Sequence, residues 1–175
     1  MNSFFDFFDL EPTFALDNAV LKKVYLLKSR TYHPDYFTQA TEIEKNNALE
    51  MTTRNNEAYK VLSDPMKRLE HILRLHGVLG EASEDKMDPA FLMEMMDINE
   101  KIMEMQMEGK TELVEQIRQE IQSKSEKMDT EAKSLKDAFD QSKEIEHLQS
   151  LKSYYFKKKY LARITEQLEG AQPDI

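Results

Sequence analysis

The tightest constraint on how this chain folds is Pro34, at the centre of Tyr32-His33-Pro34-Asp35. A proline pushes the residue before it out of the α region toward extended geometry, so a helix running into His33 must stop there. A helix does run into it. From an N-cap at Asp17, the apolar set Val20, Leu21, Val24 and Leu27 recurs at helical spacing with Tyr25 beside it, while Lys22, Lys23 and Arg30 fall on the outer side. A second helical segment begins near Thr41, has Ala48, Met51, Asn55, Ala58 and Leu62 as its packing stripe, and closes on Ser63-Asp64-Pro65. The pattern predicts an antiparallel helical hairpin whose connection presents His33 and Asp35 on an ordered, exposed turn. Polar loop residues held on a rigid helical pair are where recognition concentrates.

Segments on either side complete a first domain. Phe4, Phe5, Phe7, Phe8 and Leu10 form a short aromatic helix or turn ended by Pro12, its rings expected to pack on the following helices. Pro65 starts a short helix to about His76 with Leu69, Ile72, Leu73 and Leu75 as its apolar residues, and His71 and His76 are expected to cap or pack there. Gly77 to Lys86 holds two of the chain's four glycines together with Ser and acidic residues. The boundary is therefore placed there: a domain over 1–77, a linker over 78–87 and a second domain over 88–175.

Asp88-Pro89 is a helix start, an N-cap followed by proline in the first turn. Phe91, Met95, Ile98, Ile102 and Met105 then make an unbroken core stripe. Leu92, Met93, Met96 and Met103 are left over, beside Asp97, Glu100 and Glu104. Two readings compete for this surplus. Periodicity alone favours a helix sandwiched between two neighbours in a bundle. The alternative is an exposed methionine-rich patch ringed by carboxylates and made for binding a protein. Gly109 breaks the pattern and Thr111 can cap the next helix, along which Val114, Ile117, Ile121, Met128, Leu135 and Phe139 step to about Asp140. No Gly or Pro marks the turn that follows. The last helix carries Ile145, Leu148, Leu151, Tyr155, Leu161, Ile164 and Leu168, stopping at Gly170 and Pro173. Three long helices with short connections predict a compact antiparallel bundle. The local cluster from Tyr154 to Tyr160 includes Lys157, Lys158 and Lys159, read as balancing glutamates of the neighbouring helix.

Composition narrows the function classes. The chain has no cysteine, which removes disulfides, thiolate metal sites and cysteine nucleophiles. Its four histidines show no ligand spacing, so no metal is expected. No apolar run approaches the ~18 residues of a membrane span. The phenylalanines at the amino end are interrupted by Asp6 and Asp9 and follow no basic region, so they do not read as a signal peptide. Residues 1–77 carry 10 basic against 11 acidic side chains and the remainder 14 against 22, so the net charge of −9 sits almost wholly in the second half. Such a chain repels phosphate backbones and is not expected to bind nucleic acid. Paired carboxylates, a glycine-rich phosphate loop and a nucleophile–base pair are all missing, so no catalytic residue and no cofactor is expected.

The helix before the turn carries Leu21-Lys22-Lys23-Val24-Tyr25, and the helix after it ends in Asn56-Glu57-Ala58-Tyr59-Lys60-Val61-Leu62-Ser63-Asp64-Pro65. With the His33-Pro34-Asp35 turn between them, these segments resemble the J domain, the module that activates ATPases of the 70-kDa chaperone class. Two positions commonly basic in J domains are Leu26 and Leu27 here, and Lys28 stands where leucine is usual. Arg68-Leu69-Glu70-His71-Ile72-Leu73-Arg74-Leu75-His76-Gly77 narrows the resemblance further. It is similar to the end of the J domain in the HscB family, co-chaperones of iron–sulfur cluster assembly, and no Gly/Phe-rich linker follows.

The resemblance covers nearly the whole chain and implies an all-α protein: an amino-terminal J domain followed by a carboxyl-terminal antiparallel three-helix bundle. It implies that His33, Pro34, Asp35, Lys22, Lys23 and Arg30 meet an HscA/DnaK-type 70-kDa chaperone. Asp35 would pair with a chaperone arginine, Pro34 would fix the turn, and His33 would position it. The resemblance also reverses the reading of the methionine-rich helix. Leu92, Met93, Met96, Asp97, Glu100 and Glu104 match the positions that bind the IscU-like iron–sulfur scaffold protein, with Phe156, or Tyr155 one residue away, as the aromatic of the last helix. A co-chaperone of the bacterial cytoplasm, without enzymatic activity, is the function this implies, and a monomer is expected because the sequence offers no self-complementary seam that would require a dimer. The rivals are a J protein delivering another client and a helical adaptor with a fortuitous His-Pro-Asp.

Overall fold

The computed structural model describes residues 3–80, 87–109 and 112–170. It divides into two compact units, Met1–Gly77 and Val78–Ile175. The first holds α1 (Phe4–Phe7), α2 (Asn18–Thr31), a 3-10 turn (Pro34–Phe37), α3 (Glu42–Ser63) and α4 (Pro65–Leu75). The second holds α5 (Pro89–Glu108), α6 (Leu113–Ser142) and α7 (Ile145–Gly170). The predicted cap at Thr111, the stop at Pro173 and the linker stretch 81–86 lie outside the described residues.

Local chemistry sets most helix starts in the first unit. Asp17 accepts from the amides of Ala19 (2.7 Å) and Val20 (3.4 Å). Thr41 and Glu44 cap each other reciprocally at the head of α3, the arrangement that satisfies two orphan amides at once. Asp64 accepts from Met66 and Lys67, with Pro65 in the first turn of α4.

α3 is the hub of this unit. It packs on α1, α2, the 3-10 turn and α4. Its buried stripe is Ala48, Asn55, Ala58 and Leu62. Met51, expected in that stripe, is exposed; Thr52 faces inward instead, and its hydroxyl donates to the Tyr32 carbonyl at 2.9 Å. On α2 only Leu21 is fully buried, with Val24, Tyr25 and Lys28 partly buried, while Val20 and Leu27 are exposed. The inward face is therefore Leu21–Val24–Tyr25–Lys28, one step round from the set predicted to include Leu27. Lys28 can occupy it because its ammonium lies 4.9 Å from the Phe7 ring centre and 3.6 Å from Asp9, its stem packed along apolar surface. Asn55 locks the register of the pair: its buried amide donates to the Tyr25 carbonyl (3.2 Å) and the Ser29 hydroxyl (2.9 Å).

The aromatic segment docks as expected, with Phe5 and Phe8 buried. His71 of α4 receives it. Its Nε2 accepts from the Phe4 amide at 3.2 Å, and its ring stacks on Phe4 and Phe5 at 4.8 and 5.8 Å. On α4, Leu69, Ile72 and Leu73 are buried but Leu75 is exposed. The inward position goes to Arg68 instead, which donates to the Leu62 carbonyl at 2.8 Å.

In the second unit α6 packs on both α5 and α7, giving the antiparallel bundle. Asp88 caps α5, and Gly109 ends it in the left-handed conformation (φ 66°) that glycine adopts without a Cβ clash. The turn that carried no Gly or Pro is made by Lys143, also left-handed (φ 59°), whose amide donates to the Phe139 carbonyl at 2.8 Å. Phe91, Met95, Ile98, Ile102 and Met105 form one core with Ile117 and Ile121 of α6 and Leu161, Ile164 and Leu168 of α7.

His71 gives this fold a pH response. Burial lowers its pKa from the ordinary 6.5, with the Asp6 charge opposing. A histidine held neutral in the fold stabilises it above its unfolded pKa, and that contribution is lost as pH falls through the lower folded value. Thermal unfolding followed from pH 7.5 to pH 5 should show a loss of stability below about 6.5 that His71→Gln, which keeps an acceptor but cannot titrate, largely removes. An identical pH profile for the variant would exclude His71 as the cause.

Candidate functional site

Two separate surfaces qualify, one in each unit. In the first, His33 caps the 3-10 turn with extended geometry (φ −62°, ψ 129°), as a residue preceding proline must. Its carbonyl accepts from the Tyr36 amide at 3.0 Å, and its Nδ1 accepts from the Asp35 amide at 3.3 Å. The Asp35 carboxylate also lies 3.5 Å from Nδ1. One nitrogen cannot both accept from an amide and donate to a carboxylate. The shorter contact completes the cap, with Nδ1 as the acceptor. The side chain of Asp35 is 85% exposed and so accessible from outside the turn. His33 thus orders the turn, and the Asp35 carboxylate stands exposed on it.

Beside the turn, Lys22, Lys23 and Arg30 are all exposed on α2, as expected. Lys28 is not part of this face, because Asp9 and Phe7 hold it inward. Leu26 and Leu27, the two departures from the common basic pattern, are exposed instead. They stand four residues from Arg30 and Lys23 respectively, neighbours on the helix surface. The face is therefore mixed, two bare leucines interleaved with basic groups.

The second surface is the outward side of α5. Leu92, Met93, Met96 and Met103 are exposed together with Asp97, Glu100 and Glu104. This excludes the sandwiched-helix reading for that face. α5 meets α6 and α7 with one side only, because Phe91, Met95, Ile98, Ile102 and Met105 already reach both neighbours. At 100° per residue, Met93, Met96, Glu100 and Met103 fall within about 80° of one another, opposite the buried stripe. Met107, absent from the predicted set, is also exposed and extends the row by one turn. Its signal was the i+4 step from Met103. Ion pairs at the flanks, Glu94–Lys124 (2.7 Å) and Lys101–Glu120 (2.6 Å), tie α5 to α6 and leave the methionine row untouched.

The two candidate aromatics on α7 differ in exposure. Tyr155 is buried, whereas Phe156 is half-buried and lines a groove of about 500 Å³ with Met87, Tyr160 and Arg163. Of the lysines nearby, Lys158 answers an aspartate rather than a row of glutamates. Lys158 reaches Asp129 (3.0 Å) and Ser125 (2.6 Å), and the Tyr154 hydroxyl donates to Asp129 at 2.6 Å. Burial opposes ionisation of Asp129, but these hydrogen bonds and the charges of Lys158 and Lys136 outweigh it and lower its pKa. Burial and the Asp129 bond together raise the Tyr154 pKa. Lys157 and Lys159 lie over the Phe91 and Tyr155 rings. The three lysines are thus engaged within the bundle.

A His-Pro-Asp turn between antiparallel helices, a basic face beside it and a helical bundle in a second unit define an architecture: a J domain followed by a carboxyl-terminal bundle. Comparison with known proteins makes this particular. Residues 87–169 match the family model described as the HSCB C-terminal oligomerisation domain. Co-chaperone protein HscB homologues from Paraburkholderia xenovorans and Burkholderia multivorans are 42% and 43% identical over 102 residues, a stretch that takes in 58% of this chain and 58% of each relative. The fold of human co-chaperone HscB covers 97% of this chain and 81% of its own at a TM-score of 0.75 and 29% identity. Chaperone HscB from Vibrio cholerae shares the fold at a TM-score of 0.71 and 24% identity, covering 97% and 96% of the two chains. The chain carries an HscB carboxyl-terminal domain, and its resemblance to the HscB family holds in sequence and in fold.

The two aromatics of α7 should separate cleanly. Tyr155→Ala, which empties a core position, should cost about 3 kcal/mol in chemical denaturation. Phe156→Ala should cost no more than about 1 kcal/mol. Equal losses would show that Phe156 is a core residue and not a surface one.

Proposed function

We propose that the protein is a co-chaperone of iron–sulfur cluster assembly that holds a scaffold protein by the outward face of α5 and offers its His33-Pro34-Asp35 turn to an HscA/DnaK-type chaperone. The observation that carries this reading is the pairing, in one chain of HscB resemblance, of a bare acidic-methionine row with an exposed His-Pro-Asp turn on a separate unit. Asp35 would accept a charge-assisted bond from a chaperone arginine. Lys22, Lys23 and Arg30 would steer the approach to an acidic surface, an effect that fades with salt. Leu92, Met93, Met96, Asp97, Glu100 and Glu104, with Phe156, would hold the scaffold. Joining client and chaperone on one polypeptide raises their effective concentration before ATP is hydrolysed. The protein itself would catalyse nothing and act as a monomer in the bacterial cytoplasm.

Steady-state ATP hydrolysis by the chaperone, with this protein and the scaffold added singly and together, tests the whole scheme. Stimulation should be greater than additive with both present, and His33→Gln should remove at least about tenfold of it, ~1.4 kcal/mol of activation, while leaving scaffold binding intact. Stimulation indifferent to the scaffold would keep the J-domain role and sink the cluster-assembly role. No stimulation at all would leave a helical adaptor. Leu92→Ala/Met93→Ala should weaken scaffold capture by about 10- to 100-fold, the scale of hot-spot truncations. Unchanged capture would move the docking face elsewhere.

A further inference from the structure

The chain has eleven methionines and no cysteine. Six of the methionines lie on α5, at 93, 95, 96, 103, 105 and 107. They divide sharply. Met95 and Met105 are 0% and 3% exposed in the core, whereas Met93, Met96, Met103 and Met107 are 68%, 59%, 56% and 84% exposed along one face. Apart from Met51 of α3, no other methionine among the described residues is exposed. The apolar part of the outward face is thus thioether almost throughout, with Leu92 its one hydrocarbon side chain.

Core packing does not call for methionine at these four positions, since none is in the core, and leucine has the same helix propensity. What distinguishes methionine chemically is its sulfur. With no thiol in the chain, a two-electron oxidant that meets this protein has exposed thioethers as its readiest targets. Conversion to the sulfoxide makes a flexible apolar side chain polar and chiral. Four such conversions on one face would turn the apolar row polar while the shielded stripe of Phe91, Met95, Ile98, Ile102 and Met105 keeps α5 folded on the bundle.

We propose that Met93, Met96, Met103 and Met107 form a site of reversible oxidation by peroxides, and that oxidation switches the α5 face off as a docking surface. The docking half of this rests on the scaffold-binding reading above. In the forward step a thioether sulfur attacks one peroxide oxygen. The S–O bond forms as the O–O bond breaks, sulfur loses two electrons, and hydrogen peroxide leaves as water. In the reverse step two thiols of a methionine sulfoxide reductase reduce the sulfoxide, giving thioether, a disulfide and water. Both reductase types are needed, one for each sulfoxide epimer.

The experiment treats the full chain with hydrogen peroxide and reads it in two ways. Peptide mapping by mass spectrometry should find one oxygen added at each of the four outward sulfurs well before Met95 and Met105, with the helical circular dichroism unchanged. Affinity for a purified iron–sulfur scaffold protein should fall about tenfold or more (1.4 kcal/mol per factor of ten) and return after treatment with the two reductases. In the variant M93L/M96L/M103L/M107L, whatever its own affinity, peroxide should leave scaffold binding unchanged. Equal oxidation of Met95 and Met105, or undiminished binding by the oxidised protein, would overturn the proposal. If the reduced protein does not bind the scaffold at all, the docking reading fails, and the peptide map alone then decides whether the four sulfurs are the oxidation site.

Discussion

The first unit depends on a backbone that cannot continue. Pro34 forces His33 into extended geometry, α2 ends, and the chain must turn back along itself as α3. The turn alone does not fix how the two helices face each other. That is done by Asn55, whose buried amide reaches across to the Tyr25 carbonyl and the Ser29 hydroxyl. A buried amide tolerates only the register in which it finds partners, because an unpaired one costs about 1–3 kcal/mol. Thr52, bonded to the Tyr32 carbonyl, repeats the constraint one turn closer to the loop. With the helices held on both sides of it, the turn is a fixed feature, and the Asp35 carboxylate is presented in one place.

Against that frame the helix starts and the turn were legible in the sequence, because they are local: a cap residue and a proline act on the amides next to them. Facing was harder to read. On α2 the apolar template puts Leu27 inside, yet Lys28 is the inward residue and Leu27 the outward one. The template scores side chains by polarity, whereas Lys28 is accommodated by Phe7 and Asp9, more than fifteen positions away in sequence. The same long-range rule explains Met51 and Thr52, since a threonine with a carbonyl to meet displaces a larger apolar neighbour. The turn before α7 was unreadable for a different reason. Lys143 takes up a left-handed conformation that residue type does not advertise.

The bundle poses the opposite problem, a helix with more apolar surface than its neighbours can cover. α6 and α7 run for 30 and 26 residues and bury their own stripes on each other, with the small Ala132 among the buried residues of α6. α5 is shorter, at 20 residues, and one face suffices to reach both neighbours. Periodicity identified the buried stripe correctly but wrongly favoured a neighbour over the leftover set, because spacing does not reveal how many helices surround a given one. Only the packing shows that, among the described residues, no further helix of the unit covers that face.

A bare apolar row is a liability for solubility unless something limits its promiscuity. Here the limiting device is charge. Asp97 and Glu100 are exposed among the methionines, in a half of the chain that already carries 22 acidic against 14 basic side chains. Another acidic surface is repelled, and an apolar surface without basic groups leaves two carboxylates desolvated and unpaired at a cost. A partner that combines the two, an apolar patch studded with lysine or arginine, meets neither penalty. The α2 face beside the turn has the complementary character, leucines interleaved with basic groups, and by the same logic would favour an acidic partner. On the proposed reading, the two faces thus discriminate by opposite charge around a similar apolar centre.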